Sequence, residues 1–263
     1  MIRFCPVVSG SSGNSVYIGT DYTHLLIDAG VSGKIIQAGL SVLNVEGAML
    51  DGIFVTHEHS DHIKGVGVLS RRFDLPIYAT EGTWNAMENS LGQIARKNKK
   101  IIYSGEKLEI NDLVISPFDI PHDAAEPVGY SVMAGDIKMT VATDLGHITD
   151  SVKNGIADSD ILLLEANHDI NMLKSGTYPY SLKQRILGEF GHLANENAGR
   201  LLSQMTTKRL KHVFLGHLSA ENNTPSLAYK AVENILNENG IKVGRDFSME
   251  MASRHSVSRC IEL

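Results

Sequence analysis

The amino-acid sequence predicts an α/β protein in which two sheets carry helices on their outer faces. Short apolar runs rich in Val and Ile, bounded by Gly, Pro, Asn or Asp, indicate strands. Amphipathic patterns between these runs indicate helices, which alternate with the strands in the later part of the chain. No linker and no repeat divides the sequence, so we expect residues 1–263 to form a single domain.

Several of the strand-like runs end in a histidine or an aspartate. In chain order the runs are SVYIG, HLLIDAG, DGIFVTH, PIYAT, LVISPFDIPH, YSVMAG, IKMTVATD, DILLLEAN and KHVFLGH. Helices are predicted over residues 63–73, 83–95, 181–190, 195–206 and 225–239. Polar side chains at strand ends are therefore the first candidates for a functional site.

Composition restricts the classes of function. A chain of 263 residues can bury a substantial core, and its formal charge of -6 gives no global positive field that would attract nucleic acid. An anionic substrate would have to be bound locally. The sequence lacks a secretory signal and any apolar run long enough to cross a membrane, so we expect a cytoplasmic protein. Cys5 and Cys260 are expected to be reduced core residues, with a disulfide between the termini as the alternative.

A cluster of glycines and serines, SGSSGNS, covers residues 9–15 between two strand candidates. It predicts either a flexible hairpin turn or a loop whose backbone N–H groups and hydroxyls line an anion pocket. In the second case Ser11, Ser12 and Asn14 would contact substrate. No P-loop lysine follows, which excludes that form of nucleotide binding.

The densest cluster of polar residues, THEHSDH, covers residues 56–62 directly behind an apolar run. His57 and His59 alternate beyond the end of a strand and can point the same way. Asp61 and His62 follow a further turn and project toward a second position. One loop can therefore serve two metal ions, whereas the alternative is a capped helix start with solvated histidines.

Four more residues lie at or just beyond strand ends: Asp28, His122, Asp144 and His217. Each alone has an ordinary interpretation as a turn residue or a helix cap. Together they complete a site for two divalent ions, Zn, Mn or Fe, because imidazole and carboxylate groups suit all three metals. Asp28 is expected to orient a histidine ligand, with an ordinary turn acid as its alternative.

The predicted ligands divide into two groups with a shared carboxylate. Asp144 and a hydroxide would bridge the ions and provide the nucleophile, since metal coordination lowers the pKa of water to about 7. Asp61 would then act both as ligand and as part of the catalytic apparatus. The first ion is assigned His57, His59 and His122, and the second is assigned Asp61, His62 and His217.

The ordered motifs LLIDAG, THEHSDH, PHD, TDLG and GHLS resemble those of the metallo-β-lactamase-fold hydrolase superfamily. This resemblance implies a four-layer αββα sandwich with metals at one edge of the two packed sheets. The SGSSGN start and the GHLSAEN segment are similar to those of the YycJ/WalJ (VicX) branch. That branch implies 5'-to-3' exonuclease activity on DNA and a functional link to a two-component signalling system.

The aspartate at the fourth motif, Asp144, distinguishes this chain from the true β-lactamases, whose commonest type has a cysteine ligand there. Antibiotic hydrolysis is therefore not expected. The segments LLLEANHD and GHLANENAG resemble the ribonuclease Z-like tail, which implies that Glu165 and His192 protonate the leaving oxygen. His192 as a residue preceding a helix is the alternative.

Aromatic and cationic residues lie between this pair in the sequence. Tyr180, Lys183 and Arg185 suit unstacked bases and phosphates, although a solvated loop and helix have a similar composition. The leading interpretation is a dinuclear-metal phosphodiesterase acting on DNA. The alternatives are a hydrolase of a small thioester or phosphodiester, and a regulatory metal-binding protein. A homo-oligomer is compatible with the sequence.

Overall fold

The computed structural model describes residues 1–205 and 209–263. Thr206, the last residue of the helix predicted over 195–206, lies outside the described residues. Strands are numbered in chain order: β1 (Arg3–Val8), β2 (Ser15–Gly19), β3 (His24–Ile27), β4 (Gly52–Phe54), β5 (Ile77–Ala79), β6 (Lys99–Ile101), β7 (Leu108–Ile110), β8 (Leu113–Asp119), β9 (Val128–Ala134), β10 (Ile137–Ala142), β11 (Ile161–Glu165), β12 (His212–Gly216), β13 (Ser248–Met251) and β14 (Ile261–Glu262). They form two sheets of seven strands, ordered β14-β1-β2-β3-β4-β5-β6 and β13-β12-β11-β10-β9-β8-β7.

Helices cover the outer faces of both sheets. They are α1 (Gly33–Val42), α2 (Ser60–Ile63), α3 (Val66–Phe73), α4 (Glu81–Leu91), α5 (Asp150–Ile156), α6 (Ile170–Ser175), α7 (Tyr180–Leu187), α8 (Asn195–Met205) and α9 (Pro225–Glu238). In the part of the chain that the structure describes, no helix is both long and apolar enough to span a bilayer.

Side chains alternate between two apolar layers along each central strand. In β3, Leu25 and Ile27 belong to the core between the sheets, while Leu26 packs in the layer that contains α1 and α3. In β11, Leu163 belongs to the same central core, whereas Leu164 packs in the layer that contains α8 and α9. This period of two is the geometry of a strand covered on both faces. The layers confirm the predicted four-layer αββα sandwich.

The parallel strands bring their carboxyl ends to one edge of each sheet. Strands β3 to β6 are parallel, as are β10 to β13. Two hydrogen bonds join the sheets near the end of β4: Tyr130 Oη donates to Val55 O at 2.7 Å, and Val128 N donates to Thr56 O at 3.0 Å. Loops that leave the two sheets at this edge are therefore held close together.

The predicted helix over residues 63–73 is divided in two. Helix α2 ends at Ile63 and α3 begins at Val66, with Gly65 between them. The Gly65 N–H donates to Ala29 O at 2.7 Å, and a Cβ on this glycine would lie 2.5 Å from Val31 O. The close approach of the loop after β3 therefore interrupts the helix.

Other boundaries differ by a few residues for local reasons. Helix α4 starts at Glu81 because the Thr80 side chain accepts a hydrogen bond from Thr83 N, and it ends before Gly92, whose φ is +72°. The sequence patterns predict none of the strands β6, β7, β13 and β14 or the helices α1, α5 and α6, all of which have ten residues or fewer. Short elements offer few positions from which a period can be read. Cys5 and Cys260 are free thiols.

The loop after β3 packs directly against the short helix α2. The Gly30 N–H donates to Asn14 O at 2.7 Å, and Asn14 N donates to Asp61 O at 2.8 Å. A Cβ built on Gly30 would lie 1.6 Å from Asp61 O, which is backbone and cannot move aside as a side chain would. Glycine is therefore required at this contact.

We expect Gly30→Ala to destabilise the protein by about 1–3 kcal/mol, because the added methyl group forces the Asp61 loop away from the sheet. Urea unfolding monitored by circular dichroism measures the change. Gly33→Ala is the matched control, since its Cβ would meet side-chain carbons of Val68 and Leu69 at 3.3 Å or more. If Gly30→Ala and Gly33→Ala are equally stable, the close contact between Gly30 and Asp61 O is contradicted.

Candidate metal centre

The predicted metal ligands, Asp28 and the pair of Glu165 and His192 converge where the strands of both sheets end. Most of them follow β3, β4, β8, β10 or β12 along the chain, whereas Glu165 ends β11 and His192 follows α7. The side chains brought together at this edge are Asp28, His57, His59, Asp61, His62, His122, Asp144, Glu165, His192 and His217. The turns after the strands, which are far apart in sequence, therefore form one polar cluster.

Three of these residues have a left-handed backbone. The φ angles are 59° at Asp28, 61° at Asp144 and 54° at His217. Non-glycine residues adopt this region rarely, at a cost of about 1–3 kcal/mol each, and they persist only where the surrounding structure fixes them. The chain thus turns sharply at the strand ends while retaining a functional side chain instead of glycine.

The first group of nitrogen atoms belongs to His57, His59 and His122. His57 Nε2 lies 3.1 Å from His59 Nδ1, and His122 Nε2 lies 3.3 Å from the same atom. Burial, with the nearby His62, holds the pKa of His57 well below its ordinary value, and burial also lowers the pKa of His59. The lowered pKa values favour the neutral form of His57 and His59, which is the form that binds a metal ion.

The second group consists of Asp61, His62 and His217. One ligand atom from each lies within 4.8 Å of the others, as is also true of the first group. Burial lowers the pKa of His62, but the carboxylates of Asp28 and Asp144 outweigh it and raise the pKa well above the ordinary value. A positive charge is therefore favoured between these carboxylates.

Asp144 lies between the two groups. Its Oδ2 is 3.3 Å from His62 Nε2, and its Oδ1 is 3.3 Å from His217 Nε2 and 3.7 Å from His122 Nε2. Burial opposes ionisation of this carboxyl, yet the adjacent His217 and His62 hold its pKa well below the usual range. One carboxylate therefore contacts imidazoles of both groups.

The donor atoms fit divalent metal ions. Among the described residues, the buried Oδ2 of Asp144 receives no hydrogen bond, although His62 Nε2 lies 3.3 Å away. An unpaired buried carboxylate oxygen is costly unless a cation compensates for it. Imidazole nitrogens and carboxylate oxygens are ligands for Zn, Mn and Fe, so the chemistry of this site suits a metal.

Asp28 lies behind the second group. Its Oδ2 is 2.7 Å from His62 Nδ1, and its two oxygens accept hydrogen bonds from Thr56 N and Thr56 Oγ1, each at 2.8 Å. This contact fixes the His62 ring and leaves Nε2 directed at the ligand cluster. Among the described residues, Asp28 belongs to none of the side-chain groups that could hold a metal ion.

Glu165 and His192 form a hydrogen-bonded pair beside Asp144. His192 Nδ1 is 2.8 Å from Glu165 Oε1, while Glu165 Oε2 accepts hydrogen bonds from Leu145 N at 2.6 Å and Leu193 N at 3.1 Å. Burial would lower the pKa of His192, but the Glu165 carboxylate outweighs this effect and raises it to about 9. The imidazole is therefore protonated at neutral pH.

A cavity of about 300 Å³ opens onto the cluster. Its lining includes Ser11, Asp144, Arg185, His192 and His217. Two of the predicted substrate contacts, Ser11 and Arg185, thus face the same space as the candidate metal ligands, whereas Ser12 lines a second cavity. Asn14 is buried instead, where its side chain bonds to Gly10 and approaches Asp61.

Tyr180 and Lys183 do not line this cavity. The Lys183 ammonium group donates to Lys174 O at 2.8 Å and to Gly176 O at 2.7 Å. It therefore caps carbonyl groups at the C-terminal end of α6. Tyr180 is 78% exposed at the first turn of α7. The periodicity of α7 turns Arg185 toward the ligands and these two residues away from them.

Several residues that contact the site were not among the predicted site residues. Gly191 O accepts a hydrogen bond from His122 Nδ1 at 3.1 Å, and Ser9 Oγ accepts one from His217 N at 2.9 Å. The guanidinium of Arg254 donates to Ser11 Oγ at 3.3 Å and to Leu218 O. All are long-range contacts, which only the folded chain reveals.

Comparison with known proteins places this chain among relatives of nearly equal length. It is 43% identical to exodeoxyribonuclease YycJ of Bacillus anthracis over 94% of each chain. It is 41% identical to exodeoxyribonuclease WalJ of Streptococcus pneumoniae over 99% of this chain and 98% of that protein.

Structure and family comparisons agree with these relatives. The fold matches that of Zn²⁺-bound PqqB from Methylobacterium extorquens with a TM-score of 0.72, over 100% of both chains at 18% identity. The family described as "Beta-lactamase superfamily domain" matches residues 23–214. These matches confirm the resemblance found in the sequence. The chain therefore belongs to the β-lactamase superfamily and, within it, to the family of the exodeoxyribonucleases YycJ and WalJ.

Proposed function

We propose that this protein is a metal-dependent exodeoxyribonuclease that hydrolyses phosphodiester bonds from a 5' end of DNA. The observation that carries the proposal is the buried Asp144 carboxylate, which contacts imidazoles of both ligand groups while His192 lies 3.6 Å from it. The relatives named exodeoxyribonuclease cover nearly the whole chain, which supports the same reaction here. We further infer that residues 1–263 act as one domain.

Two divalent ions are the proposed cofactors. His57, His59 and His122 would hold one, Asp61, His62 and His217 would hold the other, and Asp144 would contact both. Such ions supply Lewis acidity toward a phosphoryl oxygen and a water deprotonated near neutral pH. Zn, Mn and Fe all suit this donor set.

The surrounding side chains provide the remaining functions. The protonated His192, held by Glu165, donates a proton to the departing oxygen, which is a poor leaving group as an alkoxide. Arg185 and Ser11 line the cavity and are placed to contact phosphate oxygens. Asp28 keeps the His62 ring in the orientation needed for binding. Local cations thus compensate for the negative net charge of the protein.

The nuclease activity is tested with end-labelled DNA carrying either a 5'-phosphate or a 5'-hydroxyl, in the presence of Mn²⁺ or Zn²⁺. We expect Asp61→Ala and His62→Ala to retain less than about 1% of wild-type activity, because each removes a ligand. Asp150→Asn, a change at a side chain that is 96% exposed, serves as the control. If the wild type degrades neither the 5'-phosphate nor the 5'-hydroxyl substrate with either metal, the proposal is rejected.

Metal content provides a second test that does not depend on activity. We expect two ions per chain by elemental analysis, and a melting temperature that rises with metal concentration because ions bind only the folded chain. His57→Ala should lose one ion, whereas Asp144→Asn should weaken both. His255→Ala, at an exposed histidine outside the ligand groups, should behave as wild type. One ion or fewer in the wild type would contradict the paired site.

The proton-donating role of His192 predicts a dependence on the leaving group. We expect His192→Ala and Glu165→Gln to slow DNA cleavage by about 10²- to 10⁴-fold. A nitrophenyl phosphodiester needs no proton on its departing oxygen, so the same variants should slow its hydrolysis much less. Steady-state kinetics on both substrates measure the difference. Equal losses would show that the pair supports the fold or the metals instead.

A further inference from the structure

Phe190 lies at the rim of the site, on a turn that is fixed to two of the loops forming it. Phe190 O accepts a hydrogen bond from Asp123 N at 3.1 Å, and the neighbouring Gly191 O accepts one from His122 Nδ1 at 3.1 Å. His192 follows two residues later. The backbone of this turn is therefore held by the loop that carries His122.

The loop after Asp144 holds the turn from its other side. A Cβ on Gly146 would lie 2.7 Å from Phe190 Cα and 2.1 Å from Glu189 O, so the two segments are in direct backbone contact. His147 Nδ1 is 2.8 Å from Glu189 O. Phe190 thus has little freedom to move relative to the ligand cluster.

The ring of Phe190 nevertheless points to solvent. The residue is 57% exposed, and its ring meets that of His147 with centroids 6.5 Å apart and planes at 83°. This edge contact orients the ring and leaves more than half of the residue free. Arg185, on the preceding helix, lines the cavity, and its Nε pairs with the side chain of Asp123, the residue whose backbone N–H contacts Phe190 O. The remaining guanidinium N–H groups of Arg185 are the donors offered to a phosphate.

We propose that Phe190, oriented by His147, is a stacking platform for an unpaired base of the substrate strand, whose phosphate enters the adjoining cavity. This inference rests on the proposed function and adds a substrate preference to it. Stacking on an aromatic ring tolerates any base but requires that the base be unpaired. The enzyme would therefore act on single-stranded or frayed ends in preference to blunt duplex ends.

The kinetic test combines a protein variant with a DNA variant. We expect Phe190→Ala to lower kcat/KM on single-stranded DNA by about 5- to 150-fold, while Phe190→Trp retains activity. An abasic nucleotide, moved along the first positions of the substrate, should cause a similar loss in the wild type at one position. At that position Phe190→Ala should cause no additional loss, because the stacking partner is already absent.

Two controls separate stacking from other effects. Phe190→Leu retains an apolar side chain without an aromatic ring and should resemble Phe190→Ala. Tyr22→Ala changes an aromatic residue that is 78% exposed in the turn before β3, at the opposite end of that strand from Asp28, and should have no effect. The stacking proposal is rejected if the loss caused by Phe190→Ala multiplies with the loss caused by the abasic nucleotide at every position. It is also rejected if Phe190→Leu retains full activity.

Binding provides a readout that is independent of cleavage. Phosphorothioate single strands containing 2-aminopurine should show quenching at one position with wild-type protein, and this quenching should be lost with Phe190→Ala. Position-dependent quenching without cleavage of ordinary DNA would support the platform and reject the nuclease proposal. If DNA is cleaved but no 2-aminopurine quenching depends on Phe190, the stacking proposal is rejected and the nuclease proposal stands.

Discussion

The structure depends on one buried carboxylate. Asp144 contacts His62 and His217 at 3.3 Å, His192 at 3.6 Å and His122 at 3.7 Å, and these residues come from four separate segments of the chain. An isolated charge at this depth would cost several kcal/mol, so the protein must supply positive charge around it. Imidazoles from α2, from the loops after β8 and β12 and from the turn after α7 surround it.

The backbone accommodates this convergence in two ways. Left-handed turns at Asp28, Asp144 and His217 end three strands abruptly while retaining side chains. Glycines act where loops must touch, as at Gly30 beneath Asp61 O and Gly146 beneath the Phe190 turn. The left-handed turns place polar side chains at the site, and the glycines allow the loops that carry these side chains to pack closely.

The proposed division of labour follows the order of the chain. Most of the proposed metal ligands arise from the first sheet and the loops after β8 and β10, whereas the proposed proton donor and one part of the cavity wall arise from residues 165–192. Glu165 belongs to the end of a buried strand, so it holds His192 rigidly, while Arg185 and Phe190 occupy a surface helix and turn. A rigid reacting centre beneath a more exposed substrate-contacting wall suits a flexible polymeric substrate.

The sequence by itself determined two sheets with outer helices and the set of candidate ligands, because strand periodicity is local and the candidate ligands follow strand-like runs, as His57 follows β4. The four-layer arrangement was implied by the resemblance of the motifs to a known superfamily. It could not show that Lys183 binds carbonyls at the end of α6, that Asn14 is buried, or that Gly65 divides a helix. Nor did it indicate Arg254 or Phe190. The tertiary structure decided these points, because contacts between loops distant in sequence depend on how the sheets pack and leave no periodic signal in the residues themselves.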